Sequence, residues 1–142
     1  NILRKLFFCF YLRSILNFRI IEMLNSEDYI ESALNAAFEQ KTNNLEIVVS
    51  DDCSTDDARE LVKRMFSDYS GNKKCRLIEN SENKCSLNNF ISETESASGE
   101  IIVVSVSDDI SKPSRVSEIV KQWLSSGCPA VVKRSESLEI LE

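Results

Sequence analysis

LEIVVSDDCSTDD, residues 45–57, sets the architecture of this 142-residue chain. An apolar run suited to a β-strand, Leu45–Val49, leads into the carboxylates Asp51 and Asp52. A turn of small residues follows, then Asp56, Asp57 and the start of a helical pattern. Ligands in open α/β sheets sit outside the carboxyl ends of the strands, so a strand running into acids, a tight turn and a helix marks a candidate site. The same logic returns at Ile101–Ser105 (IIVVS), which leads through Val106 and Ser107 to Asp108 and Asp109.

Working outward, Phe18–Leu24 (FRIIEML) reads as a first strand. Asn25 and Ser26 offer a helix N-cap, with Glu27 and Asp28 favourable in the first turn. Ile30, Ala33, Leu34, Ala37 and Phe38 then recur at three and four, the spacing of one buried helix face. After the central strand, Ser54 is expected to cap a helix in a box-like pairing with Asp57. Leu61, Val62, Met65 and Phe66 supply the apolar face of that helix, and Ser70-Gly71-Asn72 ends it. Cys75–Ile78 is a short third strand. Ser86–Ser98 carries a helical pattern with Leu87, Phe90 and Ile91, terminated by Gly99 ahead of the Ile101 strand. Pro113 suits a first helical position before Val116, Ile119, Val120, Trp123 and Leu124, and Ala130–Val132 reads as a fifth strand. Strands alternating with helices predict an α/β fold with a mostly parallel sheet. The continuous apolar run at 45–49 predicts helices on both faces of it.

Composition narrows the class. The chain is long enough for one domain with a real core. Its formal charge of −6 and pI near 4.8 argue against a nucleic-acid partner. Residues 1–17 differ from the rest: they are basic and aromatic, with Arg4, Lys5 and Arg13 and no acid. They are expected to form an extension ahead of the domain, with peripheral contact to an anionic membrane surface as the functional alternative. Leu6–Leu12 (LFFCFYL) is too short to span a bilayer. The five cysteines (Cys9, Cys53, Cys75, Cys85, Cys128) form no CxxC or Cys/His pattern. That fits a reducing, cytoplasmic setting rather than a disulfide framework or a zinc site. Histidine is absent, which excludes imidazole-based catalysis.

The acids carry the chemistry. Two unpaired carboxylates about 4 Å apart repel by roughly 4 kcal/mol at an effective dielectric near 20, so each pair at a strand end calls for a cation, a metal or a ligand donor. Capping and solvated loop charge account for Asp56 and Asp57. For Asp51 and Asp52 a structural role and a ligand role stand level on local physics. Asp108 and Asp109 read either as an acidic turn before Pro113 or as a metal site, for which one carboxylate suffices if phosphates complete the shell. Neither Cys53 nor Cys85 has a histidine neighbour that would make it a nucleophile.

Together DYIESALNAAFEQ (Asp28–Gln40), LEIVVSDDCSTDD, the segment ENKCSLNNFISETESASG (Glu82–Gly99) and SDDISKPSRV (Ser107–Val116) resemble the nucleotide-binding half of a family 2 glycosyltransferase with the GT-A fold. The match in order and spacing runs from about Asn25 to Val132. The resemblance implies a Rossmann-like domain over residues 18–142, incomplete at its carboxyl end, that binds a nucleoside-diphosphate sugar, a UDP-sugar first. It implies that Asp51 and Asp52 hold the nucleoside, with Asp52 at the base and Asn25 at the nucleotide. Asp108, with Asp109 beside it, would meet Mn²⁺ or Mg²⁺ and the donor diphosphate. The acceptor would be a saccharide or a lipid-linked acceptor, and the catalytic base is expected beyond residue 142.

The chain departs from the family pattern at four places. Glu22-Met23-Leu24 replaces the usual Pro-Thr-Tyr, Val106 replaces the first Asp of the DxD motif, and Cys53 and Cys85 stand where glycine is usual. Two other readings stay open. One is a non-catalytic remnant of the same fold. The other is a receiver-like signalling module, which requires that residues 18–24 form no strand.

Overall fold

The computed structural model describes residues 17–42, 44–84, 88 and 101–126, and for residues 17–20 the backbone alone. Four strands form one sheet: β1 (Asn17–Met23), β2 (Leu45–Asp51), β3 (Lys74–Glu79) and β4 (Ile101–Val106). The spatial order is β3-β2-β1-β4 and every pairing is parallel. The chain steps from β1 out to β2 and β3, then returns to lay β4 on the other side of β1. That reversal puts the switch point, where α/β sheets open a crevice, between β1 and β4.

Register decides which residues face which way. Ile21 stands opposite Val49 and Ser105, and Val49 opposite Leu77, so these four share one face. On it Ile21, Met23, Ile47, Val49, Ile101 and Val103 merge into one core with three helices: α1 (Ile30–Phe38), α2 (Ala58–Asp68) and α3 (Arg115–Ser126). Ile30, Leu34, Val62 and Val116 are fully buried in it. Each such side chain contributes about 2 kcal/mol relative to exposure. Val48 and Ser50, on the opposite face, are buried as well, so β2 is covered on both sides as its apolar run predicts. The expected helix at 86–98 lies outside the described residues apart from Asn88. So do the expected strand at 130–132 and residues 1–16 of the extension.

Both early helices start later than their cap signals suggest. Asn25 has φ +48, a left-handed turn residue and not the extended geometry of an N-cap. The Ser26 carbonyl accepts from the Tyr29 and Ile30 N–H groups, and α1 begins at Ile30 with no side-chain cap. The Ser26 hydroxyl is engaged instead by the Leu24 carbonyl and by Ser107. The Ser54–Asp57 box is likewise absent. The Ser54 N–H donates to Asp51, its Oγ accepts from the Asn25 N–H, and Asp56 accepts from the Ala58 N–H at the start of α2.

Gln40, 2 % exposed, ties α1 to α3. Its Nε2 donates to the Ala36 and Lys112 carbonyls, at 3.0 and 2.8 Å, and its Oε1 accepts from the Val116 N–H at 3.0 Å. The Lys41 N–H adds a bond to the Pro113 carbonyl at 2.8 Å. This clamp fixes the segment that follows β4 against the core.

Candidate nucleotide site

All four strands run the same way, so their carboxyl ends gather at one edge. Asp52 leaves β2 there, and Asp108 stands two residues past the end of β4, on the strand beyond β1. Two strand spacings separate β2 from β4, about 10 Å.

Asp51 and Asp52 point in opposite directions, since neighbouring residues of a strand alternate faces. Asp51 is fully buried on the helix face. Its Oδ2 accepts from Arg59 Nε at 2.6 Å and its Oδ1 from the Ser54 N–H at 3.0 Å. The bond to Asp51 holds the Arg59 guanidinium above its ordinary pKa. Glu79 lies 3.5 Å from the same nitrogen and pairs with Lys63 at 2.8 Å, so Asp51 sits in a charge network that shapes the turn.

Asp52 is 5 % exposed and lies on the other face. Its N–H donates to the Met23 carbonyl at 2.9 Å, which continues the β1–β2 pairing. Its Oδ1 accepts from Asn80 Nδ2 at 3.2 Å and from the Lys84 N–H at 2.8 Å. These neutral donors orient the carboxylate without pairing it to a cation. Asn80 follows β3 as Asp52 follows β2, and its own N–H donates to the Asp51 carbonyl.

Cys53 makes the turn with φ +70, the left-handed geometry expected where glycine is usual. The β1–α1 and β2–α2 loops then interlock. Asn25 Oδ1 accepts from the Thr55 N–H at 2.9 Å. The Glu27 N–H donates to Asp56, and the Asp57 N–H donates back to Glu27, at 2.9 and 3.0 Å. Asn25 and Asp56 therefore hold loop to loop.

At the other tip, the Asp109 N–H donates to the Val106 carbonyl at 3.0 Å and closes a turn. Asp108 stands exposed on that turn and, among the described residues, its carboxylate has no partner. Asp109 faces Arg115 at 3.5 Å. Arg115 also donates to the Ser111 hydroxyl and to the Val104 carbonyl, which fixes the guanidinium over the end of β4. The hydroxyls of Ser26 and Ser107 meet at 2.6 Å across the switch point and join the β1 loop to the Asp108 turn.

The donor set fits a hard divalent cation only in part. Among the described residues no three acidic or thiol groups converge on one point. Of the two acids at the β4 tip, Asp108 is the one whose carboxylate is free among the described residues, which suits a Mg²⁺- or Mn²⁺-type ion whose remaining ligands are phosphate oxygens and water. Asp109 is turned toward a guanidinium.

Glu22, marked in the sequence only as a departure from the family's usual Pro-Thr-Tyr, enters the site here. It shares the face of Asp52, and its carboxyl is pushed above the ordinary range first by burial and then by the Asp52 charge. Asn80 was missed. Its position one residue past a strand end was the available signal.

A parallel sheet with acids at two strand tips beside a switch point defines an α/β domain with a candidate ligand crevice at the carboxyl edge of its sheet. The model of glycosyl transferase family 2 matches residues 20–136, and the chain belongs to that family. It is 31 % identical over 104 residues to EpsE of Bacillus subtilis, named as a glycosyltransferase. That stretch is 71 % of this chain and 36 % of EpsE. The chain spans about a third of the length of the curated relatives it matches. Among solved structures, the mannosyltransferase PcManGT of Pyrobaculum calidifontis, in complex with GDP-Man and Mn²⁺, superposes with a TM-score of 0.73. Its identity is 26 %, over 84 % of this chain and 36 % of that one. TarS of S. aureus in complex with UDP-GlcNAc has the same fold, with a TM-score of 0.66 and 23 % identity over 78 % of this chain and 32 % of that one. The receiver-like reading is overturned by this match, and also by β1, since residues 18–23 are a strand.

Proposed function

We propose that this chain is the donor-binding half of a glycosyltransferase that moves a sugar from a nucleoside diphosphate to an acceptor hydroxyl, a UDP-sugar being the first donor to test. One observation carries the reading: in a family 2 chain, Asp52 and the free carboxylate of Asp108 stand at the same edge of the sheet, on the two strands flanking β1. Asp52, held by Asn80 and the Lys84 N–H, would accept the ring N–H of the nucleobase. Asp108 would hold the divalent cation at the diphosphate. Asp109 would join it only by leaving Arg115. When bound, the cation offsets charge on the departing diphosphate as a Lewis acid. The residues of the chain orient the nucleotide across the strand tips.

Asp51 drops out of direct nucleoside contact in this reading, because both its oxygens are used inside the fold. The acceptor is proposed to be a saccharide or lipid-linked alcohol. Residues 1–16 are proposed as a basic extension able to rest on an anionic membrane, Asn17 belonging to β1, and the setting as cytoplasmic. Among the described residues no helix is long and apolar enough to cross a membrane.

Calorimetric titration with UDP-sugars and GDP-sugars in the presence of Mn²⁺ tests the proposal. Binding by the parent chain, lost in Asp52→Ala and in Asp108→Ala, is expected. No heat across the common donors would favour the alternative, a non-catalytic remnant of the fold.

A further inference from the structure

The donor-site reading places the base at the β2 tip and the diphosphate at the β4 tip, about 10 Å apart across β1. The ribose that joins them must cross the end of β1. Of the four residues there, Met23 is 1 % exposed and points into the core, Leu24 is apolar, and Asn25 has its Oδ1 committed to Thr55, which leaves its side chain only as a donor. Glu22 is the fourth. It is in register with Ser50 on one side and Val106 on the other, so it lies on the face of Asp52. Val106 is the position where the first carboxylate of the DxD motif is missing, and Glu22 is its neighbour one strand spacing away.

We propose that Glu22 accepts hydrogen bonds from the ribose hydroxyls of the donor, supplying from β1 the carboxylate that β4 lacks at Val106. The proposal rests on the donor-site reading and adds a specificity-determining residue to it. A carboxylate is acceptor-only and can take both hydroxyls of a vicinal diol, one on each oxygen. Glu22 is half-buried and makes no hydrogen bond or ion pair among the described residues. Burial and the neighbouring Asp52 both disfavour its charge, and two hydroxyl donors relieve that cost.

The test is calorimetric titration of the 142-residue chain, with Mn²⁺ throughout. UDP and GDP are each compared with their 2′-deoxy and 3′-deoxy counterparts, on the parent, Glu22→Gln and Glu22→Ala. A hydrogen bond to a charged group is worth enough that the parent should bind the deoxy nucleotides about tenfold more weakly. Glu22→Ala should bind the ribonucleotide about tenfold more weakly than the parent and no longer tell the deoxy forms apart, with Glu22→Gln between. Its thermal midpoint at pH 7 should equal or exceed that of the parent. Unchanged discrimination in Glu22→Ala overturns the proposal and leaves the donor site standing. Weaker binding with a lowered midpoint and intact discrimination marks Glu22 as structural and also overturns it. Failure of the parent to bind either ribonucleotide overturns the donor-site reading and the proposal together.

Discussion

Asp51 has both oxygens occupied inside the fold, while Asp52, the next residue, faces the opposite side of the sheet among neutral donors. Asp51→Ala strips the Ser54 N–H and Arg59 of their acceptor and should cost about 2 kcal/mol, read from urea denaturation. Asp52→Ala leaves the Asn80 amide and the Lys84 N–H without their acceptor but breaks no ion pair, so it should cost less than Asp51→Ala, about 1 kcal/mol, while removing nucleotide binding. Equal stability losses in the two variants would contradict this division of roles. Cys53, at φ +70, stores strain that glycine would not, so Cys53→Gly should gain up to about 1 kcal/mol in the same assay. Glu22 gives a pH signature. Its folded pKa is raised, so its ionisation opposes folding. The penalty is absent below the ordinary carboxylate pKa, grows as pH rises through it and is complete above the folded value. The thermal midpoint of Glu22→Gln should therefore exceed that of the parent at pH 7 and converge with it near pH 4. The acids were legible in the sequence as candidates. Their division was not, because it depends on Arg59 reaching back to β2 and on Asn80 and Lys84 arriving from a loop some 30 residues away.

Gln40 shows the same contrast among the elements. Gln40 closes the family-like stretch Asp28–Gln40 without local periodicity to assign it a task, yet its three bonds join α1 to the segment behind Asp108. Gln40→Ala should cost about 2–3 kcal/mol and weaken Mn²⁺-dependent nucleotide binding, since the Asp108 turn loses its support. Retained stability in denaturant would contradict that role. Strands and helix faces were legible because they follow local periodicity, as Leu45–Val49 and Ile30–Phe38 do. Helix starts were not. The hydroxyls of Ser26 and Ser54 look like local caps, but long-range partners in the neighbouring loops claim them, so α1 and α2 begin several residues later. Cys75 on β3 is half-buried, and desolvation pushes its thiol up to about 11. Alkylation mapped by mass spectrometry should find it slow to react in the native chain at neutral pH and fast in denaturant.

At the scale of the molecule, the parallel order β3-β2-β1-β4 converts two acidic stretches some fifty residues apart into two posts at one edge of a sheet. Sequence foresaw this architecture because each stretch follows an apolar run, and parallel strands align all such ends. It did not foresee that Glu22, on β1 between the posts, faces the same side as Asp52. The chain covers about a third of the length of its curated relatives. The central claim is spatial: nucleotide and cation occupy the strand tips from Asp52 to Asp108. Paramagnetic broadening of backbone amide NMR signals by Mn²⁺, recorded with UDP present, tests it directly. The account predicts the strongest broadening at Ser107–Ile110, less at Asp52 and Asn80, and none at Leu45 and Lys74, roughly 20 Å away at the amino ends of their strands. Asp108→Ala should abolish the effect. Broadening centred at the amino ends of the strands, or unchanged in Asp108→Ala, would contradict it.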